Sequence, residues 1–172
     1  KGFSDGVLDY QSVEKNDISY STLLIDNFKV NEVPVLAKIL TLASLQGIAD
    51  LLTGEGIRFT DFEMRYKKNK KLTTIEEIFA IGPAISVLMN GYIEQDKIVS
   101  LRGTLVPATT INKTISNIPL LGDILVGEKA GEGVFGVSFK IKGHPNKLKT
   151  TVNPIKTLTP RFITRTLKNK KN

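Results

Sequence analysis

The stretch KIVSLRGTLVP, Lys97 to Pro107, decides how the chain is read. Val99, Leu101 and Leu105 alternate with Ser100, Arg102 and Thr104, and Gly103 falls on the apolar parity. Side chains leave a β-strand on opposite faces with a period of two, so this is a strand with one face buried and one wetted. The same parity governs AISVLMNGYI, where Ile85, Val87, Met89 and Ile93 share a face. It also governs VFGVSFKI, where Phe135, Val137, Phe139 and Ile141 stand opposite Gly136, Ser138 and Lys140. Asn90-Gly91 has the composition of a two-residue hairpin turn, but the alternation runs through it unbroken, which places the turn at Glu94 to Lys97.

Working outward, the pattern predicts strands over 56–68, 71–80, 84–94, 97–106, 133–143 and 147–153, preceded by two more in GVLDYQSV and ISYSTLLIDNFKV. Links this short make consecutive strands antiparallel neighbours, a meander. KKNKK, Lys67 to Lys71, reads as a solvated turn, and His144 in KGHPNK as part of a tight turn between two strands.

Two segments break the alternation. Pro34 to Thr53 opens on Pro and is followed by Gly54, with helical spacing between. Leu36, Leu40, Ala43, Leu45, Gly47, Ile48, Leu51 and Leu52 share one arc, with Ile39 and Leu42 among the polar residues opposite. Ala108 to Gly127 spaces Ile111, Ile115, Ile118, Leu121 and Leu125 along one face, with Pro119 splitting the helix. A third stretch, PRFITRTLKNKK, sets Phe162, Ile163 and Leu167 against Arg161, Arg165 and Lys168, a basic amphipathic helix. The expected class is therefore α+β, an antiparallel meander with two strongly apolar helical insertions and a basic C-terminal helix.

Composition excludes several functions. The chain has 172 residues, no cysteine and one histidine, so disulfide frameworks, thiolate metal sites and most histidine-based hydrolase designs are absent. The longest uncharged run, Ile78 to Ile93, falls short of the roughly 20 apolar residues of a membrane-spanning helix. Net charge is +7, and no Asp or Glu occurs from Gly133 to Asn172, so the positive charge belongs to the C-terminal end and favours a polyanionic surface there.

GEGVFGVSF, Gly131 to Phe139, matches the spacing of a phosphate-binding glycine loop. A dinucleotide loop must leave a strand and open a helix; here the order is reversed. Kinase and Walker companions are missing too. IADLLTGEGIRF and LGDILVGEKAGEGVFGVSF instead show one unit used twice, an apolar helix followed by Gly-Glu-Gly and a strand, with the first glycine suited to a left-handed helix cap. No cofactor site emerges. Glu76-Glu77 is the nearest approach to a carboxylate dyad, but neighbours on a regular strand point to opposite faces, so an enzyme is not expected.

VPVLAKILTLASLQGIADLLTGEGIRF, AIGPAISVLMNGYI, LRGTLVPATTIN, IPLLGDILVGEKAGEGVFGVSFKIKG and VNPIKTLTPRFITRTL, in this order, resemble the C-terminal region of AsmA-like proteins of Gram-negative envelopes, the group that includes TamB-like and YhdP-like proteins. The resemblance implies a fragment of a larger periplasmic protein, anchored in the inner membrane by a part of the parent chain not present here. It further implies a sheet curled into an open apolar groove, and a role in phospholipid transport toward the outer membrane and in envelope integrity. On that reading Ile85, Val87, Met89, Val99, Leu101, Leu105, Phe135, Val137 and Phe139 line the groove. Leu36, Leu40, Ile48, Leu51, Ile118, Leu121 and Leu125 form helices that close it, dip into a membrane or meet a partner, and Arg161, Arg165 and Lys168 meet anionic headgroups. The expected function is non-enzymatic handling of phospholipid or another acyl-chain lipid at a membrane surface. The alternative is a scaffold whose apolar helices bind an envelope protein partner; no nucleic-acid motif is present.

Overall fold

The computed structural model describes residues 2–107 and 136–155. The chain order is β1 (Gly2–Ser4), β2 (Val7–Lys15), β3 (Ile18–Asn31), α1 (Pro34–Leu42), α2 (Gln46–Thr53), β4 (Ile57–Asn69), β5 (Leu72–Ile81), β6 (Ile85–Glu94), β7 (Ile98–Pro107), β8 (Gly136–His144) and β9 (Lys147–Ile155). The strands form one open antiparallel sheet in the order β1-β3-β4-β5-β6-β7-β8-β9, with β2 following β1 along the same edge of β3.

The meander follows the alternation. β6 runs unbroken through Asn90-Gly91, and the chain turns after Glu94, before Lys147 and around Lys70, where the sequence places its turns. These turns use left-handed residues at Asn16 (φ 53), Asp17 (φ 58), Lys70 (φ 49) and Asp96 (φ 57). All four tight turns lie at one end of the sheet. The α1–α2 insertion, the Gly82–Ala84 link and the connection out of Pro107 lie at the other.

The expected α+β class does not hold. Strand accounts for 69% and helix for 13%, so among the described residues the fold is a mostly-β open sheet bearing two short helices. The physical reason lies in Pro34 to Thr53, which does not form one helix. α1 stops at Leu42 in a left-handed cap: Ser44 has φ 58, the Leu45 amide donates to the Leu40 carbonyl at 2.9 Å and the Ser44 amide donates to that of Thr41 at 3.0 Å. This paired closure ends a helix cleanly and is usually built on glycine. The second apolar insertion, Ala108 to Gly127, and the basic C-terminal helix fall outside the described residues.

The first Gly-Glu-Gly also behaves differently from expectation. Gly54 has φ −102 and is not left-handed; Gly56 is, with φ 87. A Cβ on Gly56 would sit 2.1 Å from the Asn31 side-chain oxygen, so this glycine permits the close entry of the chain into β4 beside the end of β3. The second copy starts at Gly131, outside the described residues.

Both helices pack on one face of the sheet, called here the inner face. α2 packs on β3 and β4, whereas α1 packs on β9. In a flat sheet β9 would lie six strand spacings from β3, about 29 Å. A nine-residue helix is only about 14 Å long, and α1 begins within three residues of the end of β3. The sheet must therefore coil, bringing its last strand back toward the helices. Leu40 and Leu52 are fully buried under this closure together with Phe28, Ile57, Phe59, Ile85, Leu105, Val137, Phe139 and Ile141, one core drawn from both ends of the sheet.

Ser44 supplies a direct test of the cap. Replacing an L-residue at a left-handed position by glycine relieves steric cost that exceeds the added chain entropy. Ser44→Gly is expected to raise unfolding free energy by about 0.5–1 kcal/mol, read from the midpoint of urea unfolding; a lower midpoint would contradict the cap geometry.

Candidate functional site

The inner face is built by register. Val87 pairs with Leu105 and Leu105 with Val137; Met89 pairs with Gly103, Gly103 with Phe139 and Phe139 with Val152. Leu101 pairs with Ile141, and Ile93 with Val99. The expected groove residues Ile85, Val87, Met89, Val99, Leu101, Leu105, Val137 and Phe139 thus share one face; Phe135 lies outside the described residues. Gly103 belongs to the set for a steric reason. A Cβ there would come within 2.5 Å of the Phe139 ring, so the missing side chain is the seat of that ring.

Burial divides this face. At the helix end Ile85, Leu105, Val137 and Phe139 are sealed, while Val87, Met89, Leu101, Leu148 and Val152 are only partly buried beside them. The helix residues divide as well. Leu40 is buried, and Leu36 and Ile48 pack against the core, but Leu51 is 40% exposed. Ile39, placed by spacing on the polar side, is buried, and Leu42 is 51% exposed. Ile118, Leu121, Leu125, Arg161, Arg165 and Lys168 lie outside the described residues.

Toward the tight-turn end the inner face becomes polar on β2, β3 and β4. The Tyr10 hydroxyl shares hydrogen bonds with Ser21 (3.1 Å) and Tyr66 (3.4 Å), and Ser12 shares bonds with Ser19 and Ser21 at 3.0 Å each. Ser21, at the centre, is 4% exposed. The bond from Ser21, followed by those from Tyr66 and Ser12, pulls the Tyr10 phenol down to about 8 by stabilising its anion. Its bond to Tyr10 pushes Tyr66 the other way. The sequence reading missed this cluster. Its signal was the period-two hydroxyl pattern of Ser19 and Ser21 on one parity of β3, with Ser12 on the preceding strand.

The opposite, outer face carries a β-bulge. On β5 the residues Glu76 and Glu77 together occupy the place opposite single positions, Arg65 on β4 and Asn90 on β6. Glu77, 2% exposed, takes a 2.9 Å bond from the Arg65 guanidinium, and Glu76 lies 3.9 Å from Lys67. Arg65 and Lys67 share a face of β4, so the bulge brings both carboxylates to that face. The expectation that adjacent strand residues must diverge fails here, because the bulge's extra residue shifts the parity by one: Ile75 before it and Ile78 after it share a face, and Glu76 and Glu77 both turn to the other. Each carboxylate faces a cation. Among the described residues no group of three His, Asp or Glu side chains is arranged to hold a metal, and no helix is long and apolar enough to cross a membrane.

No family model, curated protein or solved structure matches the chain.

Two measurements probe these clusters. Tyrosinate absorbance is expected to show one phenol titrating near pH 8. Tyr66→Phe and Ser21→Ala, each removing a bond that favours the Tyr10 anion, should move that step upward; an unmoved step would refute the assignment. Arg65→Ala leaves the Glu77 carboxylate buried without its guanidinium and is expected to cost about 1.5–3 kcal/mol in urea unfolding. A change under about 0.5 kcal/mol would mean the pair is held no better than a surface ion pair.

Proposed function

We propose that the chain is a non-enzymatic lipid-handling module, in which the inner face receives acyl chains beyond the reach of its own helices. One observation carries the reading: Val87, Met89, Leu101, Leu148 and Val152 form an apolar patch over β6 to β9, interrupted on β9 by Thr150, that adjoins the sealed core yet is only partly covered. Apolar area left partly in water is worth about 25 cal/mol for each Å² that a ligand removes from it, and an acyl chain suits a long surface with no hydrogen-bonding demand. The hydroxyls of Tyr10, Ser12, Ser19, Ser21 and Tyr66 on the same face supply neutral partners for a lipid's polar end. The AsmA-like resemblance fits this reading and makes the chain part of a longer periplasmic groove. Strand β2, with Val7, Leu8 and Val13 exposed along an unpaired edge, is where further strands would add.

A second reading rests on Leu42 and Leu51, exposed on the outer sides of α1 and α2. They would suit an envelope protein partner of a scaffold that carries no lipid.

Organic-solvent extraction of the purified chain followed by mass spectrometry is expected to release lipid, and a fluorescent fatty acid should bind saturably. Met89→Glu, which places a charge on the patch, should weaken that binding at least ten-fold while circular dichroism stays unchanged. Absence of both extractable lipid and saturable binding would refute the lipid reading in favour of the scaffold.

A further inference from the structure

The outer face of β7, β8 and β9 gathers cations toward the tight-turn end, while at the other end Val106, on the same parity, is buried. Arg102 pairs with Lys140, Lys142 pairs with Lys149, and His144 pairs with Lys147, all on the parity opposite the inner-face residues. All six side chains are exposed. These three strands contain no Asp or Glu. Arg102 donates from Nε to Asn90 at 3.1 Å, and none of the ion pairs among the described residues involves Lys140, Lys142, Lys147 or Lys149. By contrast, two cations of β4 on the same face, Arg65 and Lys67, each have a carboxylate within 4 Å, although Arg58 at the other end of that strand lies opposite Lys29.

Like charges placed directly opposite across a strand pair are unfavourable, and Lys142 against Lys149 is such a pair. Lysines on β9 have one internal explanation, since charge on an edge strand discourages pairing with other chains. That explanation does not reach Arg102 or Lys140, which stand on interior strands whose edges are already paired.

We infer that the outer face of β7–β9 is a docking surface for an anionic bilayer, with Arg102, Lys140, Lys142, Lys147 and Lys149 as the contacts. The geometry selects the partner. Strand spacing and the two-residue repeat set the cations on a two-dimensional grid of about 5 by 7 Å. A grid suits a laterally extended anionic plane. A nucleic-acid strand presents its phosphates along a line and is held through stacked bases, and among the described residues the aromatic neighbour on this grid is Tyr92 alone, in register with Ser100 and through it with Lys142. The contact residues differ from Arg161, Arg165 and Lys168 of the C-terminal segment. The inference holds whether or not the inner face carries lipid, so vesicle binding and lipid extraction can fail separately.

Co-sedimentation of the 172-residue chain with vesicles of phosphatidylglycerol and phosphatidylcholine, against phosphatidylcholine alone, tests it. Binding is expected only to the anionic vesicles and should weaken as salt shortens the screening length. Each basic residue near such a surface contributes about five-fold in affinity. The triple variant Lys140→Gln, Lys142→Gln, Lys149→Gln should therefore bind roughly 100-fold more weakly, with an unfolding midpoint no lower than the wild type's, since all three side chains are exposed and the Lys142–Lys149 repulsion is removed. A parallel variant, Arg161→Gln, Arg165→Gln, Lys168→Gln, should retain measurable anionic binding. The inference is overturned if the strand triple variant binds like the wild type, if phosphatidylcholine vesicles bind equally well, if the C-terminal variant alone abolishes binding, or if a single-stranded oligonucleotide binds more tightly than the anionic vesicles at the same salt.

Discussion

A helix that begins beside the third strand and rests on the ninth is the constraint from which the rest of this structure follows. α1 can touch β9 only if the sheet coils, and the sheet can coil around the helices only if its inner face is apolar at both ends. Phe28, Val30, Ile57 and Phe59 meet that demand on one side, and Val137, Phe139, Ile141 and Val152 on the other. Leu40 and Leu52, fully buried between them, convert two sets of residues far apart in sequence into a single core. Beyond the helices the cover is incomplete: Ile75 and Val99 are buried, but Val87, Met89, Leu101, Leu148 and Val152 are only partly so.

Much of this was legible because a β-strand writes its burial into sequence parity. Ile85 to Leu105 could be assigned to one face before any contact was known, and Gly103 on the apolar parity marked the position that Phe139 fills. Parity does not survive local backbone changes. At Asn27, with φ 52, the alternation shifts, so that Ile25 reaches the same core as Phe28 and Val30. The matching change in β4 lets Phe28 stack on Phe59 at 5.5 Å and meet Phe62 edge-on at 5.9 Å. The bulge at Glu76-Glu77 is of the same kind. These events are set by single dihedral angles, which periodicity averages away. The break at Ser44 was hidden for a different reason: serine is an uncommon residue in a left-handed cap, and the helical spacing of apolar residues continues across it.

The candidate site was legible in its membership but not in its division. Spacing could place Leu40 and Leu51 on one arc, yet one is buried and the other faces solvent, because the break at Ser44 divides the arc between two helices, of which α1 packs on β9 and α2 on β3 and β4. The hydroxyl cluster and the cationic outer face have a shared cause for their obscurity. Each is modest within any one strand, and only the register between strands assembles Tyr10, Ser21 and Tyr66, or Arg102, Lys140 and Lys142, into a surface.

The order of the strands also bears on how the molecule comes into being. During synthesis each strand from β3 onward finds its neighbour within a few residues of chain, apart from the 25-residue interval between β3 and β4 and the 28-residue interval between β7 and β8. α1 is made early, but its seat on β9 does not exist until residues 147–155 have emerged. Ile39 and Leu40 therefore lack part of their cover while most of the chain is being made. A chain interrupted before β9 therefore leaves the apolar face of α1 without the cover that this strand later supplies, while α2 already has its seat on β3 and β4.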